Sequence, residues 1–233
     1  MLNALVLLAL AAIPIIVAIT LHEAAHGYAA LALGDDTARQ AGRLSLNPLR
    51  HVDRFGTLIL PGLLLLGQVL TIGRVVFMFG WAKPVPVSAW KFRHPRQGMA
   101  LVAAAGPAMN FLLAWLTALV LHATASVPGT VGETIDQTLT LFILSNLVLG
   151  LFNLLPIPPL DGGRIMVGIL PEPLAIAWAR LERAGIVIVL LAVFLLPRMF
   201  AEFGIRWDPV GNGLAYVLPW ATGLVYRLAG WNV

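Results

Sequence analysis

Long apolar runs separated by short polar loops dominate the sequence. The runs cover residues 2–33, 56–80, 98–122, 135–155 and 184–200, with a weaker one over 211–228. About 20 consecutive apolar residues suffice for a helix to cross a bilayer. The pattern therefore predicts an all-α polytopic membrane protein with five to six membrane helices. Residues 171–183, which include Arg180, Glu182 and Arg183, are predicted to form a short interfacial helix.

The second run, 56–80, differs from the others because proline, glycine, glutamine and arginine interrupt it. Both flanking linkers, 37–54 and 81–97, are rich in Lys and Arg, which places them in the cytoplasm together with 160–183. The uncharged N-terminus and the loop 123–132 are then outside. Either the run is re-entrant or one loop breaks this rule. Irregular backbone at membrane depth must line protein or water, which favours re-entry.

Composition supports a membrane protein and excludes several other classes. The chain is 59% hydrophobic and 11% charged, whereas soluble domains carry about 25% charged residues. The lysines and arginines fall in short loops between apolar runs, and no aromatic-plus-basic stretch resembles a nucleic-acid surface, so nucleic acid is not an expected partner. The N-terminal run lacks a cationic start and is expected to be retained as a span. The expected location is the plasma (inner) membrane of a prokaryote, with several passes.

Two histidines at the end of the first run are the strongest candidates for chemistry. His22 and His26 lie four residues apart, on one face of a helix if the run is helical. Two such imidazoles can share one tetrahedral zinc, leaving room for a third ligand and a water. Glu23 points about 100° away around the helix and is better placed to hold the water than to bind metal. With no cysteine in the chain, thiolate ligands are excluded.

The third ligand is left open by spacing alone. Asp35 and Asp36 are interpreted as a solvated helix stop, and Asp53 as a partner of neighbouring arginines. Asp161 follows a helix broken by three prolines and precedes two glycines, which can open the backbone and turn a carboxylate inward. An Asp-Gly pair is, however, most often a simple turn.

Three blocks of sequence resemble the site-2 protease family of intramembrane zinc metalloproteases. They are 22–27 (HEAAHG), 106–110 (GPAMN) and 153–164 (NLLPIPPLDGGR). The resemblance implies one Zn²⁺ per chain on His22, His26 and Asp161, with Glu23 as general base. It also implies that Asn153 faces the site and contacts substrate or the oxyanion. Many relatives carry a PDZ or CBS domain, and this sequence shows neither, so it looks like the short form of the family.

The function that the resemblance implies is hydrolysis of peptide bonds within or next to transmembrane segments of membrane-protein substrates. A single membrane-embedded metalloprotease domain would cover residues 1–233, with a core over 1–170 and additional spans over 184–203 and about 211–230. The active site would open toward the cytoplasm. The alternation over 43–47, followed by Asn-Pro, predicts a short strand near the active site, to which an unwound substrate could pair by strand addition.

A metal-ion transporter or metal-binding membrane protein using the same histidine pair is the alternative. It should show further ligands on several spans and an inverted repeat, and the sequence shows neither. Among the remaining polar residues, Asn110 and Asn146 are expected to bond between helices, the commoner role of Asn in lipid, with substrate contact as the alternative for Asn110. His51 and His94 lie in basic loops and are expected to be solvated, with an approach of His51 to the site as the alternative if the linker folds back.

Overall fold

The protein is built from helices arranged around one long central helix. The computed structural model describes residues 2–74 and 79–232, with side chains from residue 12 onward. The α-helices are α1 (Leu2–Ala32), α2 (Thr37–Gln40), α3 (Leu60–Ile72), α4 (Pro95–Thr124), α5 (Gly129–Asn153), α6 (Asp161–Ile169), α7 (Glu172–Arg180), α8 (Gly185–Leu190), α9 (Leu196–Glu202) and α10 (Pro209–Leu228). A π-helical segment, Arg54–Ile59, leads directly into α3.

Helix α4 is the centre of the bundle, since it packs against α1, α5, α6 and α10. Part of its contact surface is made of small residues: Ala114 and Ala118 are fully buried against Ile143 and Leu147 of α5. Small side chains let helix backbones approach closely where lipid provides no hydrophobic driving force. This packing leaves the other end of α4 to contact α1 and α6, which carry the candidate ligands.

The prediction of five to six membrane helices is confirmed, with five such helices among the described residues. The stretches long and apolar enough to cross are Ala12–Ala32, Arg54–Ile72, Pro95–Thr124, Gly129–Asn153 and Glu172–Glu202. The last combines α7, α8 and α9 with the 3₁₀ segment Leu181–Ala184 and the π-helical segment Leu191–Leu195 between them, so the predicted interfacial helix over 171–183 continues into the following span. The weak sixth run forms α10, which is not among the five.

The end of α1 is fixed by a glycine in a left-handed conformation. Gly34 has φ +99°, and the N–H of Asp35 donates to the carbonyl of Ala30 across the helix end. This is the Schellman arrangement, in which glycine avoids the steric cost of positive φ and closes the last turn. As predicted, the helix ends just before Gly34, and the chain reverses so that Asp35 points back into the protein.

Asp35 is fully buried, so its interpretation as a solvated helix stop is wrong. Its carboxylate accepts from the backbone N–H of Ser88 (2.6 Å) and of Thr37 (3.0 Å) and lies 3.3 Å from the Lys91 ammonium. Burial alone would raise the pKa of Asp35, but these hydrogen bonds outweigh it and lower that pKa below its ordinary value. Asp35 thereby ties the end of α1 to the second basic linker.

The strand predicted over 43–47 is not formed, and the described residues contain no strand. The backbone there makes local bonds instead: the N–H of Ser45 bonds the carbonyl of Arg43, and that of Asn47 bonds the Ser45 hydroxyl. The buried Arg43 guanidinium donates to the carbonyls of Arg50 and Lys83. A side-chain clamp on two carbonyls therefore replaces a β-ladder.

The two ends of the unusual run 56–80 lie next to each other. The N–H of Trp81 donates to the carbonyl of Gly56 at 3.2 Å, and the Thr57 hydroxyl donates to the Trp81 carbonyl at 2.8 Å. Residues 75–78 of this run lie outside the described residues. Adjacent ends agree with re-entry, but the Arg54–Ile72 helix is also long enough to cross. Re-entry therefore stays a prediction.

Single cysteines in the otherwise cysteine-free chain test this topology. Leu49→Cys and Arg93→Cys occupy exposed positions in the two basic linkers, and Ser126→Cys lies beyond the far end of α4. We expect an impermeant thiol reagent to label positions 49 and 93 from the cytoplasmic side and position 126 only from the other side. Labelling of 49 and 93 from opposite sides would show that the run crosses the membrane fully.

Candidate metal centre

Helix α1 brings its two histidines together on the side that faces α4. The Nε2 atoms of His22 and His26 are 3.0 Å apart, and their rings are nearly perpendicular. His22 is buried and His26 half-buried. The spacing of four residues thus places both imidazoles on one face of the helix, as the sequence predicted.

Asp161 joins this pair from the first turn of α6. Its Oδ2 lies 3.1 Å from the Nε2 of His22 and 3.4 Å from the Nε2 of His26. The two glycines that follow let α6 start against the preceding turn: a Cβ on Gly163 would lie 2.5 Å from the Pro158 nitrogen, and one on Gly162 would collide with backbone carbonyls. The Asp-Gly-Gly sequence is therefore a packing requirement that places the carboxylate.

The outer nitrogens of both imidazoles face hydrogen-bond partners. The Nδ1 of His26 lies 2.7 Å from the carbonyl oxygen of Val102, and the Nδ1 of His22 lies 2.6 Å from the Oδ1 of Asn110. A backbone carbonyl only accepts, so the Nδ1 of His26 carries a proton, and in the neutral imidazole its Nε2 then keeps a free lone pair. Metal-binding histidines characteristically donate their other N–H in this way.

Three electron-rich atoms therefore converge at the centre. The buried Oδ2 of Asp161 has no hydrogen-bond partner within the described part of the chain. A tetrahedral zinc with bonds of about 2.0–2.1 Å separates its ligand atoms by roughly 3.3 Å. The observed separations of 3.0, 3.1 and 3.4 Å are close to that value. A cation would turn the mutual repulsion of these atoms into attraction, so the residues fit a zinc ion.

Gly106 of α4 closes one side of the centre. A Cβ at this position would lie 2.5 Å from the Cε1 and Nε2 of His26 and 2.6 Å from the Cε1 of His22. Side-chain carbons essentially never approach so closely. The glycine thus lets α4 lie directly against both imidazoles.

A cavity of about 370 Å³ opens beside the three ligand atoms. Glu23 lies in its wall, where its Oε2 accepts from the backbone N–H of Val85 at 3.1 Å. Asn153, from the end of α5, lies in the wall as well. Apolar side chains make up much of the remaining surface: Ile19, Phe79, Trp81, Val87, Met99, Ala103, Leu149, Phe152, Leu160, Ile186 and Val189.

The structure places the five sequence-predicted site residues around one cavity, but the segments that surround them differ from those that the sequence predicted. Among the described residues, 43–47 are absent from the cavity wall. The end of the run 56–80 and the start of the second linker contribute to the wall instead, through residues 79–82, 84, 85 and 87. His51 is buried with its Nε2 2.8 Å from the Ser45 carbonyl, so the expectation that it is solvated is wrong. His94 is exposed, as expected.

Some contacts at the site went unrecognised in the sequence. Asn110 bonds His22 directly and donates to Asn146 on the neighbouring helix. The bond between helices was expected, whereas the one to His22 was not. The only signal for it was its position in the Gly-Pro-x-x-Asn block. The Val102 and Val85 contacts use backbone atoms, for which side-chain chemistry gives no signal.

Comparison with known proteins agrees with this geometry. The model of Peptidase family M50 matches residues 10–196. The chain is 40% identical over 189 residues to "Putative zinc metalloprotease YwhC" of Bacillus subtilis, covering 79% of this chain and 80% of that protein. It is 31% identical over 215 residues to "Putative zinc metalloprotease Rip2" of Mycolicibacterium smegmatis, covering 91% and 77%.

The protein of the same name from Mycobacterium tuberculosis is 29% identical over 215 residues, covering 92% of this chain and 74% of that protein. No solved structure matches the chain. The family match covers most of the chain, including all three ligand candidates, and the relatives carry the name of a zinc enzyme. The chain belongs to Peptidase family M50 and is a membrane-embedded zinc metalloprotease.

Proposed function

We propose that the protein is an intramembrane endopeptidase that cuts peptide bonds within or next to transmembrane segments of other membrane proteins. One observation carries this proposal: a carboxylate suited to base catalysis and a three-residue metal centre share one largely apolar cavity. The cavity lies among helices that are themselves long and apolar enough to span a bilayer. A substrate with an apolar segment would meet it without first leaving the membrane.

The metal would be held by His22, His26 and Asp161. When bound there, zinc would polarise the scissile carbonyl and lower the pKa of the attacking water toward about 7. The carboxylate supplies one negative charge and the imidazoles are neutral, so part of the charge of the ion stays uncompensated. That residual charge favours both effects.

Glu23 would act as the general base. The N–H of Val85 holds its Oε2, while no hydrogen bond to Oε1 is found among the described residues. Oε1 is therefore free to accept a proton from the attacking water, and the carboxyl group could then deliver that proton to the leaving amine. The bond to Val85 also keeps the carboxylate in the cavity wall.

Asn153 would stabilise the oxyanion. Its side-chain nitrogen donates one hydrogen to the carbonyl of Leu149, one turn earlier in α5, at 3.0 Å. An amide nitrogen carries two hydrogens, so the second can point into the cavity. A donor placed in advance stabilises charge as it develops in the transition state.

The cavity would open toward the cytoplasm in the plasma membrane of a prokaryote. The two basic linkers meet at this end of the bundle, where the N–H of Lys83 bonds the carbonyl of His51 and Asp35 bonds Ser88. Basic loops remain on the cytoplasmic side. Water would then reach the centre from that side.

Metal content tests the ligand set. We expect purified protein to hold about one zinc per chain, and His22→Ala and His26→Ala to lose it, because two ligands hold zinc far less tightly than three. His94→Ala removes an exposed histidine and should keep the full amount. Stoichiometric zinc in the His22→Ala/His26→Ala double variant would show that the metal is bound elsewhere.

Gly106→Ala tests how closely α4 approaches the ligands. The added methyl group would force both imidazoles to move, so we expect zinc affinity to fall by at least tenfold, the scale for disturbed ligand orientation. The matched control is Gly223→Ala in α10, where a Cβ meets nothing within 4 Å among the described residues. Equal zinc affinity of the two variants would contradict the packing described here.

Glu23→Gln separates catalysis from metal binding. The amide keeps the size of the side chain but cannot accept the proton of water. We expect normal zinc content and cleavage of a co-expressed membrane substrate reduced on the order of 100-fold or more, the scale of lost general-base catalysis. Glu172→Gln, at an exposed position at the start of α7, is the control and should cleave normally.

Asp161→Asn should give a different result, with both zinc affinity and cleavage reduced, because a charged ligand is replaced by a neutral one. If Glu23→Gln cleaves at the wild-type rate, hydrolysis by this site fails as an explanation. A metal transporter would then become the better description.

A further inference from the structure

A chain of three buried hydrogen bonds connects His22 to the backbone of α5. The Nδ1 of His22 lies 2.6 Å from the Oδ1 of Asn110, and the Nδ2 of Asn110 lies 2.9 Å from the Oδ1 of Asn146. The Nδ2 of Asn146 donates to the carbonyl of Phe142 at 2.9 Å. Both asparagines are fully buried. The chain therefore links a proposed metal ligand on α1, through α4, to α5.

The direction of every bond follows from its last member. The Phe142 carbonyl can only accept, so the amide nitrogen of Asn146 must face it. The oxygen of Asn146 then faces Asn110, which must present its own nitrogen. The oxygen of Asn110 is thereby turned toward His22, and only a protonated Nδ1 can satisfy it.

A second carbonyl supports the same orientation. The Nδ2 of Asn110 also lies 3.4 Å from the carbonyl of Ala18, one turn before His22 in α1. Reversing the Asn110 amide would place its oxygen against two acceptors, the carbonyl of Ala18 and the oxygen of Asn146. Unsatisfied or opposed polar groups in an apolar interior are costly.

We propose that Asn146 is a positioning residue that acts through Asn110 to hold His22 in the Nδ1–H tautomer, with a free Nε2 lone pair toward the metal. The inference rests on the proposed zinc ligation by His22. Without Asn146, the direction of the Asn110 amide is held only by the longer contact to the Ala18 carbonyl, at 3.4 Å. Once reversed, the amide would donate to His22 and favour the Nε2–H tautomer, which cannot bind zinc through that nitrogen.

Both histidines are thus oriented by hydrogen bonding that ends at a backbone carbonyl, but the number of bonds between the ring and that carbonyl differs. His26 donates directly to a backbone carbonyl, whereas His22 reaches one through two neutral amides. Neutral partners raise the basicity of the imidazole less than a carboxylate would, and they add no negative charge beside the metal. They therefore fix the ring and preserve the residual positive charge of the centre.

The first test is the tautomer of His22 in metal-free protein, read from ¹⁵N chemical shifts of ring-labelled histidine and assigned with single-histidine variants. We expect the Nδ1–H form in the wild type and a detectable share of Nε2–H in Asn146→Leu. Nε2–H in the wild type would overturn the proposal. Because this measurement needs only the wild type, it decides even if Asn146→Leu fails to fold.

The second test is zinc affinity, measured by competition with a chelating dye. Metal-orienting partners outside the ligand set are worth about 10–100-fold in affinity, so we expect a loss in this range for Asn146→Leu and for Asn110→Leu. The double variant should lose no more than Asn110→Leu alone, because both residues act through one bond to His22. Additive losses of zinc affinity in the double variant would overturn the proposal that Asn146 acts through Asn110. Wild-type zinc affinity of a folded Asn146→Leu variant would overturn it as well.

Thr117→Val is the matched control. It removes a buried side-chain hydrogen bond in α4, from the Thr117 hydroxyl to the Leu113 carbonyl, that has no connection to the site. Its zinc affinity should equal that of the wild type. If the two asparagines had a purely structural role, replacing them would lower the melting temperature and leave both the zinc affinity and the His22 tautomer unchanged. Zinc retained by His22→Ala would contradict the proposed ligand set. Normal zinc binding by Asn146→Leu would contradict only the proposed role of Asn146 and leave the ligand set standing.

Discussion

Repulsion among three ligand atoms is the constraint on which the structure of the site depends. Two imidazole nitrogens and one carboxylate oxygen lie 3.0–3.4 Å apart in a buried position. In water such lone pairs would be solvated, but here the neighbouring groups accept hydrogen bonds from the outer nitrogens and none donates to the converging atoms within the described residues. A divalent cation compensates the repulsion, so metal binding and the packing of α1 against α4 and α6 are thermodynamically linked. Zinc removal should therefore loosen the same contacts that form the cavity.

The second requirement of the candidate metal centre is that helices approach each other closely, and glycine residues allow this approach. Gly106 lets α4 contact both imidazoles, and Gly162 and Gly163 let α6 begin against the backbone of the preceding turn. Each of these glycines has an ordinary backbone conformation, so space rather than positive φ explains its presence. The candidate metal ligands are consequently placed by residues that carry no chemistry themselves.

The sequence predicted the helices well and the polar surroundings of the site poorly. Apolar run length and the spacing of His22 and His26 follow from local periodicity, and the block around Asp161 gave the candidate third ligand through its resemblance to a family; the structure brings these three side chains together. The strand at 43–47 and the solvated Asp35 were wrong for a shared reason. Both segments are held by partners 40–53 residues away, such as Arg43 with the Lys83 carbonyl and Asp35 with the Ser88 N–H. Long-range side-chain-to-backbone bonds leave no local pattern.

Backbone groups hold His26 and Glu23 directly and His22 through two asparagines, which explains why residue chemistry alone could not describe the candidate site. The Val102 carbonyl orients His26, the Val85 N–H holds Glu23, and the Phe142 carbonyl ends the hydrogen-bond chain that reaches His22. In an apolar interior such dipoles have no water competing for them, so each bond is costly to break. The geometry of the centre is therefore tied to helix positions. A substitution that shifts α4 or α5 should disturb the metal even without touching a ligand.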